Sequence, residues 1–389
     1  MADGRRRRLA YDSSPTTGTI RVKLTFQNQG LGRSSACCLL AIGGFAGRGE
    51  HGLRGRRWHE GATMQCRICG ETDRLTPYRV REMLIGLRES FDYFLCAQCG
   101  CLQIAEIPPD MSRYYPADYY SMESHQQVPA QHTGVRRLVD QLLFLDAGLL
   151  NTVVSALVRR LRPDAYPVQL MPLTRDAGLR SFDDPVLDVG CGSGDFLFSL
   201  RAMGFTCLYG ADPFVAEKIV RDGVTIFNTD VGDVDKPGFF RLITFQHSLE
   251  HVADQRGTLA AAAKLLRADG MMMVSLPVVE SYAWEHYGTD WVDLDAPRHF
   301  YLHSLRSLKM VAADAGLVCR SIVPDPSILE LLGSEQYRRD IPLRSPDSFM
   351  IKGREQCFTV EELARFEALR ETLKPLGRAG RIMMYLSPA

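Results

Sequence analysis

No stretch of 18 uncharged apolar residues occurs in the 389-residue chain, so the sequence offers no membrane-spanning helix. The nearest approach, LVDQLLFLDAGLLNTVVSALV at 138–158, carries Asp140 and Asp146 and reads as an amphipathic helix packed on the protein's own core. A secretory signal is not expected either, because it needs an apolar run nearer the start, followed by a cleavage site, and the short run ACCLLAIGGFAG begins only at residue 36. Net charge is also absent, with 46 Lys and Arg against 46 Asp and Glu, so no overall basic bias points to nucleic acid. No internal repeat is present, which excludes a repeat architecture. Hydrophobic residues at 46% and charged residues at 24% are ordinary for a soluble chain with material for two domains.

The charge that is present is unevenly spread. Residues 1–63 hold eleven Lys and Arg against four Asp and Glu, which leaves the remainder acidic, 35 against 42. The Gly/Arg-rich stretches MADGRRRRLA and GRGEHGLRGRRWHEGAT have no apolar period, so 1–63 is expected to be a disordered basic extension, with Met64 as the real start. An RNA-binding arm is the alternative.

Four of the eleven cysteines are organised. CRICG supplies Cys66 and Cys69, and CAQCG supplies Cys96 and Cys99, each Cys-x-x-Cys followed by glycine. Two such turns present four thiolates to one tetrahedral zinc ion with no open position, so the metal is expected to be structural. The 26 intervening residues have room for a short strand pair. Cys101 is a spare, and Cys37, Cys38, Cys207, Cys319 and Cys357 show no pairing pattern, which predicts a reducing, cytoplasmic location. The domain expected here is 64–125, closed by YYPADYY as an aromatic clasp and by a polar linker near 125–133.

From about residue 180 apolar runs alternate with helical segments, predicting a parallel sheet covered on both faces. Strands are expected in PVLDV, TCLYGAD, VTIFNT, RLITFQ and MMMVSLP. Helices are expected over 195–203, 213–222 and 255–269, each closed by glycine, and from about 360. PVLDVGCGSGDFL at 185–197 places Gly190, Gly192 and Gly194 where a strand gives way to a helix. A dinucleotide loop wants its third glycine one position later, and Asp195 stands where a phosphate would want no acid. S-adenosylmethionine has no phosphate, and its ammonium and sulfonium suit an acid nearby. Asp212 ends the second strand, 22 residues after Gly190, where a carboxylate can accept both ribose hydroxyls.

VLDVGCGSGDFL, with GADP, ITFQHSLEHVAD and LLRADGMMMVSLP, resembles class I S-adenosylmethionine-dependent methyltransferases over about 185–325. With the cysteine ribbon, YYPADYY and DAPRHFYLHSLRSLKMVAADAGL, most of 64–389 is similar to zinc-ribbon methyltransferases of bacterial sugar and polysaccharide pathways. The resemblance implies a Rossmann-like, doubly wound α/β fold. Its seven-stranded sheet would have an antiparallel last strand, for which RIMMYLS is the candidate, over a domain spanning 134–389. It implies that Asp188, Gly190, Cys191, Gly192, Gly194, Asp212 and Gln246 bind the cofactor. Asp230 is assigned either to the adenine amine or to a solvated loop. Ala268-Asp269-Gly270 departs from the family's usual Pro-Gly-Gly.

For chemistry, His247, Glu250 and His251 share one helical face after the fourth strand. They are expected either to activate a nucleophile or only to pin helix to loop. The histidine-rich stretch 284–304 suits a polar substrate, with His299 as a further catalytic candidate. Trp291 is expected to stack on a sugar face and Arg298 to bind a phosphate or carboxylate, the alternative being a structural Asp295–Arg298 bridge. The expected acceptor is a sugar, nucleotide-sugar or glycan-pathway intermediate; the alternatives are a small aromatic or quinone-like acceptor and, from another class, a zinc-ribbon protein binding nucleic acid. Residues 334–349 are read as a lid or homodimer surface.

Overall fold

The computed structural model describes residues 64–115, 133–145, 153, 157 and 172–389. The basic extension 1–63, residues 116–120 of the clasp, most of the linker and most of the second half of the 138–158 helix lie outside the described residues. Residues 138–144 of that stretch belong to helix α1 (Gly134–Phe144).

β1 (Leu75–Arg81) and β2 (Ser90–Cys96) form the expected strand pair, antiparallel from Leu75 opposite Cys96 to Arg81 opposite Ser90. β3 (Leu102–Ile104) continues this sheet.

The second sheet begins with β4 (Val186–Val189), followed by α2 (Asp195–Met203), β5 (Leu208–Ala211), β6 (Ile219–Arg221), β7 (Val224–Phe227) and β8 (Phe240–Gln246). Next come α3 (Gln255–Leu265), β9 (Leu266–Pro277), α4 (Tyr282–Tyr287), β10 (Tyr301–Leu302), α5 (Leu305–Asp314), β11 (Leu317–Pro324), α6 (Ile328–Arg338), α7 (Val360–Leu373) and β12 (Arg381–Pro388). The strand order is β11-β12-β9-β8-β4-β5-β7-β6. β7, β5, β4, β8 and β9 run parallel, with their middle strands buried on both faces as such sheets require. β12 lies antiparallel between β9 and β11, as the resemblance implied for RIMMYLS.

Two expectations fail. The sheet has eight strands among the described residues, not seven, because 213–222 does not form the expected helix. Asp222 (φ 52°) and Gly223 (φ 82°) both adopt positive φ. An Asp-Gly pair of that geometry makes a tight hairpin turn, and it folds β6 back onto β7. The helix over 255–269 stops at Leu265. The amides of Gly238 and Phe239 capture the carbonyls of Lys264 and Leu265, and Leu266 turns extended into β9.

β10 pairs with β3, so a strand from the second half of the chain completes the ribbon's sheet. Cys66, Ile68, Tyr93 and Phe94 of the ribbon share one core with Phe245, Leu249, Leu276 and Leu308. Arg256 reinforces the join by donating to the carbonyls of Arg67 (2.7 Å) and Ile68.

Candidate active site

The loop after β4 is built on backbone that only glycine tolerates. Gly190 has φ 73°, and a Cβ there would stand 2.4 Å from Cβ of Ser248. Gly192 (φ 50°) donates its amide to Oδ2 of Asp212 at 2.8 Å, and Gly194 (φ 89°) opens α2. Cys191 tucks its thiol inward, into the space a Cβ on Gly210 would need.

Two buried carboxylates face this loop. Asp188 lies directly opposite Thr244 in the β4–β8 register and accepts its hydroxyl at 2.6 Å, with Gln246 Nε2 at 3.3 Å. Burial drives the Asp188 carboxyl up to about 7, with Asp212 adding to the rise while Thr244 and Gln246 ease it. Asp212 accepts the amides of Gly192 and Phe214 (2.9 Å), one on each oxygen, which leaves further lone pairs for a ligand. Among the described residues no arginine or lysine pairs with either acid. Asp230 is exposed at the head of a short turn and makes no side-chain capping bond. Thr244 and Ser248 were not foreseen. Thr244 is a polar residue in the buried apolar middle of β8, two positions from Gln246 on the same face, and that was the available signal.

The expected catalytic residues come together. Glu250 and His251 lie on the short 3-10 turn Leu249–His251 after β8, whereas His247 precedes it with φ 52°, so the expected shared helical face does not form; His299 packs its ring 4.7 Å from that of His251. Glu250 is fully buried, and neither oxygen accepts a well-formed hydrogen bond. His247 Nδ1 is its nearest neighbour at 3.4 Å, and His299 Nε2 lies at 4.0 Å. Burial works to raise the Glu250 carboxyl, but the nearby imidazoles of His247, His299 and His251 hold it down at about 2. Burial, with His299, pulls His251 down to about 4. Nδ1 of His251 meets the carbonyl oxygen of Arg298 at 2.9 Å and the hydroxyl of Tyr115 at 3.2 Å, a contact made by the clasp.

The other two candidates in 284–304 are corrected by the structure. Arg298 is fully buried. It donates to Asp295 (2.6 Å), Glu82 (3.0 Å) and the carbonyl of Tyr114 (3.0 Å), so it clamps ribbon to sheet domain and cannot reach a substrate anion. Trp291 is 1% exposed and belongs to the core, so it cannot stack on a sugar. The lid reading of 334–349 fails similarly at Leu343 and Arg344, whose amides bond to the carbonyls of Met83 and Leu84.

The sulfur atoms of Cys66, Cys69, Cys96 and Cys99 all lie within 4.8 Å of one another. Cys66–Cys99 and Cys69–Cys96 are each 3.5 Å apart, far longer than a disulfide and close to the separation of about 3.8 Å that a tetrahedral thiolate site with 2.3 Å bonds requires. Gln103 Nε2 donates to Cys66 (3.1 Å), and the hydrogen bond from Cys99 holds the Cys66 thiol down to about 4 against burial. The four residues can therefore hold a tetrahedral cation, with Cys101 outside the set.

Residues 152–322 match a family model described as a methyltransferase domain. The chain is 28% identical to a ubiquinone biosynthesis O-methyltransferase of Colwellia psychrerythraea over 24% of its own length and 42% of that protein's. It is 29% identical to a protein of the same name from Pectobacterium carotovorum over 26% of its length and 47% of that protein's. The chain thus spans less than half the length of the curated relatives it matches. A geranyl diphosphate C-methyltransferase structure from Streptomyces coelicolor aligns at 16% identity with a TM-score of 0.36, over 72% of this chain and 97% of that one, a likeness too low to bear on function. Over 152–322, then, the chain is similar to methyltransferase domains, and that segment lies in the mixed α/β sheet domain.

Proposed function

We propose that the protein moves a methyl group from S-adenosylmethionine to an oxygen of a small hydroxylated acceptor. One observation carries the reading: two buried carboxylates, Asp188 and Asp212, which have no cationic partner among the described residues, flank a loop of bare backbone. Cofactor of positive charge fits there, with Asp188 facing that charge and Asp212 offering its free lone pairs to the ribose hydroxyls. The bound cofactor supplies an already activated methyl group. The protein must then hold the acceptor in line and take its proton. His247 suits the second task. Its side chain is partly exposed, its Nδ1 faces Glu250, and its Nε2 is left to meet a hydroxyl. Oxygen as the methylated atom is supported by the name of the curated relatives. A sugar acceptor has lost two of its supports, because Arg298 and Trp291 are buried, so a quinone-like aromatic acceptor is now the first to try. The four ribbon cysteines are read as holding a structural zinc that locks the ribbon turns.

Calorimetry tests the central claim. Asp212→Ala should weaken S-adenosylmethionine and S-adenosylhomocysteine binding by about 10- to 100-fold, the range expected for lost hydrogen bonds to a charged group, well beyond its effect on folding. Unchanged affinity refutes the ribose role, and a wild-type protein that binds NAD but neither S-adenosyl compound ends the reading. A screen of hydroxylated aromatics, quinols and nucleotide sugars for methyl acceptance then decides the substrate class.

A further inference from the structure

Glu250 differs from the buried carboxylates around it. Glu82 accepts four backbone amides, from Leu84, Ile85, Gly86 and Leu87, as well as Arg298. Asp295 has Arg298, and Asp293 has Arg381 at 2.6 Å. Glu250 is as deeply buried as Glu82, yet both its oxygens lack a hydrogen-bond partner. A buried carboxylate left in that state is costly unless something positive meets it.

What meets it is set by the two histidines. His251 points Nδ1 at the carbonyl oxygen of Arg298, and His299 points Nδ1 at the carbonyl oxygen of Asp293 at 2.7 Å. A carbonyl can only accept, so each Nδ1 carries a hydrogen, and in the neutral ring each Nε2 keeps its lone pair for a metal ion. His299 Nε2 stands between Glu250 Oε1 at 4.0 Å and Asp295 Oδ2 at 3.9 Å. Two imidazoles whose Nδ1 atoms are held by backbone carbonyls, grouped with a carboxylate that accepts no hydrogen bond, match the outer-shell arrangement that orients metal-bound histidines. The three ligand atoms lie within 4.8 Å of one another.

We propose that Glu250, His251 and His299 bind one divalent first-row transition ion, at a site separate from the ribbon cysteines. Two nitrogens and one carboxylate, with further positions open, suit such an ion better than calcium or magnesium, which prefer oxygen ligands throughout. Bonds of about 2.1 Å need the donors roughly 3 to 3.5 Å apart, so the His299–Glu250 separation of 4.0 Å closes by about 1 Å or less on loading. His247, with 36% of its side chain exposed, stands beside Glu250 as the way in from solvent. The inference stands on these residues alone and does not depend on the methyl-transfer reading.

The test uses the full-length protein with its ribbon metal in place and manganese(II) chloride as the probe, without cofactor or acceptor. Electron paramagnetic resonance should show about one manganese bound per chain. Glu250→Gln and His299→Ala should each weaken binding at least tenfold. Added manganese should raise the melting temperature of the wild type and leave that of Glu250→Gln unchanged. Cobalt(II) should give a visible spectrum without the thiolate charge-transfer band that marks cysteine ligation. Glu250→Gln keeps the shape of the side chain and removes a buried charge, so it serves as the folded control should His299→Ala fail to fold. No manganese or cobalt uptake by the wild type, or uptake that Glu250→Gln leaves unaltered, overturns the proposal.

Discussion

The strand ends that face the loop after β4 and the loop between α4 and β10 both carry buried carboxylates, and they treat them in opposite ways. In the first, Asp188 and Asp212 have hydroxyl, amide and backbone neighbours but no cation among the described residues, and the Asp188 carboxyl climbs to about 7. In the second, Asp295 and Asp293 each hold an arginine, and the Arg298 guanidinium, pressed against Asp295, holds that carboxyl below its ordinary range despite burial. Charge compensated within the chain joins parts of the fold. Charge left uncompensated marks where a ligand's opposite charge belongs.

The largest effect that could break this contrast is at Arg298. Arg298→Ala strands Glu82 and Asp295 as buried anions between ribbon and sheet domain, and should cost about 3–5 kcal/mol in chemical denaturation. A loss below about 1 kcal/mol would mean that the clamp is not structural. Asp188 offers an intermediate effect. Its folded value near 7 lies above its ordinary value, so the unliganded protein favours the protonated form, and a cationic ligand must drive the proton off. S-adenosylmethionine affinity should therefore fall by up to tenfold per unit as pH drops below about 7 and level off above it, with proton release seen in calorimetry across buffers of different ionisation enthalpy. A flat profile from pH 5 to 8 would place the cofactor's charge elsewhere. The smallest effect is at Trp291. Its indole N–H has no partner, so Trp291→Phe loses only packing and should cost about 1–2 kcal/mol while leaving the KM for any acceptor unchanged. A raised KM would restore it to the substrate site.

Legibility followed the same division. Glycines at a strand-to-helix turn, an acid ending the next strand and doubled Cys-x-x-Cys-Gly are local patterns, and the structure builds each as geometry around backbone conformations that few other residues adopt. Arginine, tryptophan and histidine in 284–304 were ambiguous, because these side chains serve a substrate or a core equally well. The Asp222-Gly223 pair shows a finer limit. It ends helices and turns hairpins with the same residues, and the choice fell to β7, which offered an edge for β6 to join.

By itself the sequence determined the α/β alternation, the four-thiolate cluster and the acidic glycine loop, since each depends on residues near one another in the chain. Tertiary structure alone decided that β10 completes the ribbon sheet, that Arg298 faces inward to Glu82, and that His299 arrives beside Glu250. Those contacts join positions far apart in sequence, and a side chain's role there is set by the partner that the fold brings to it.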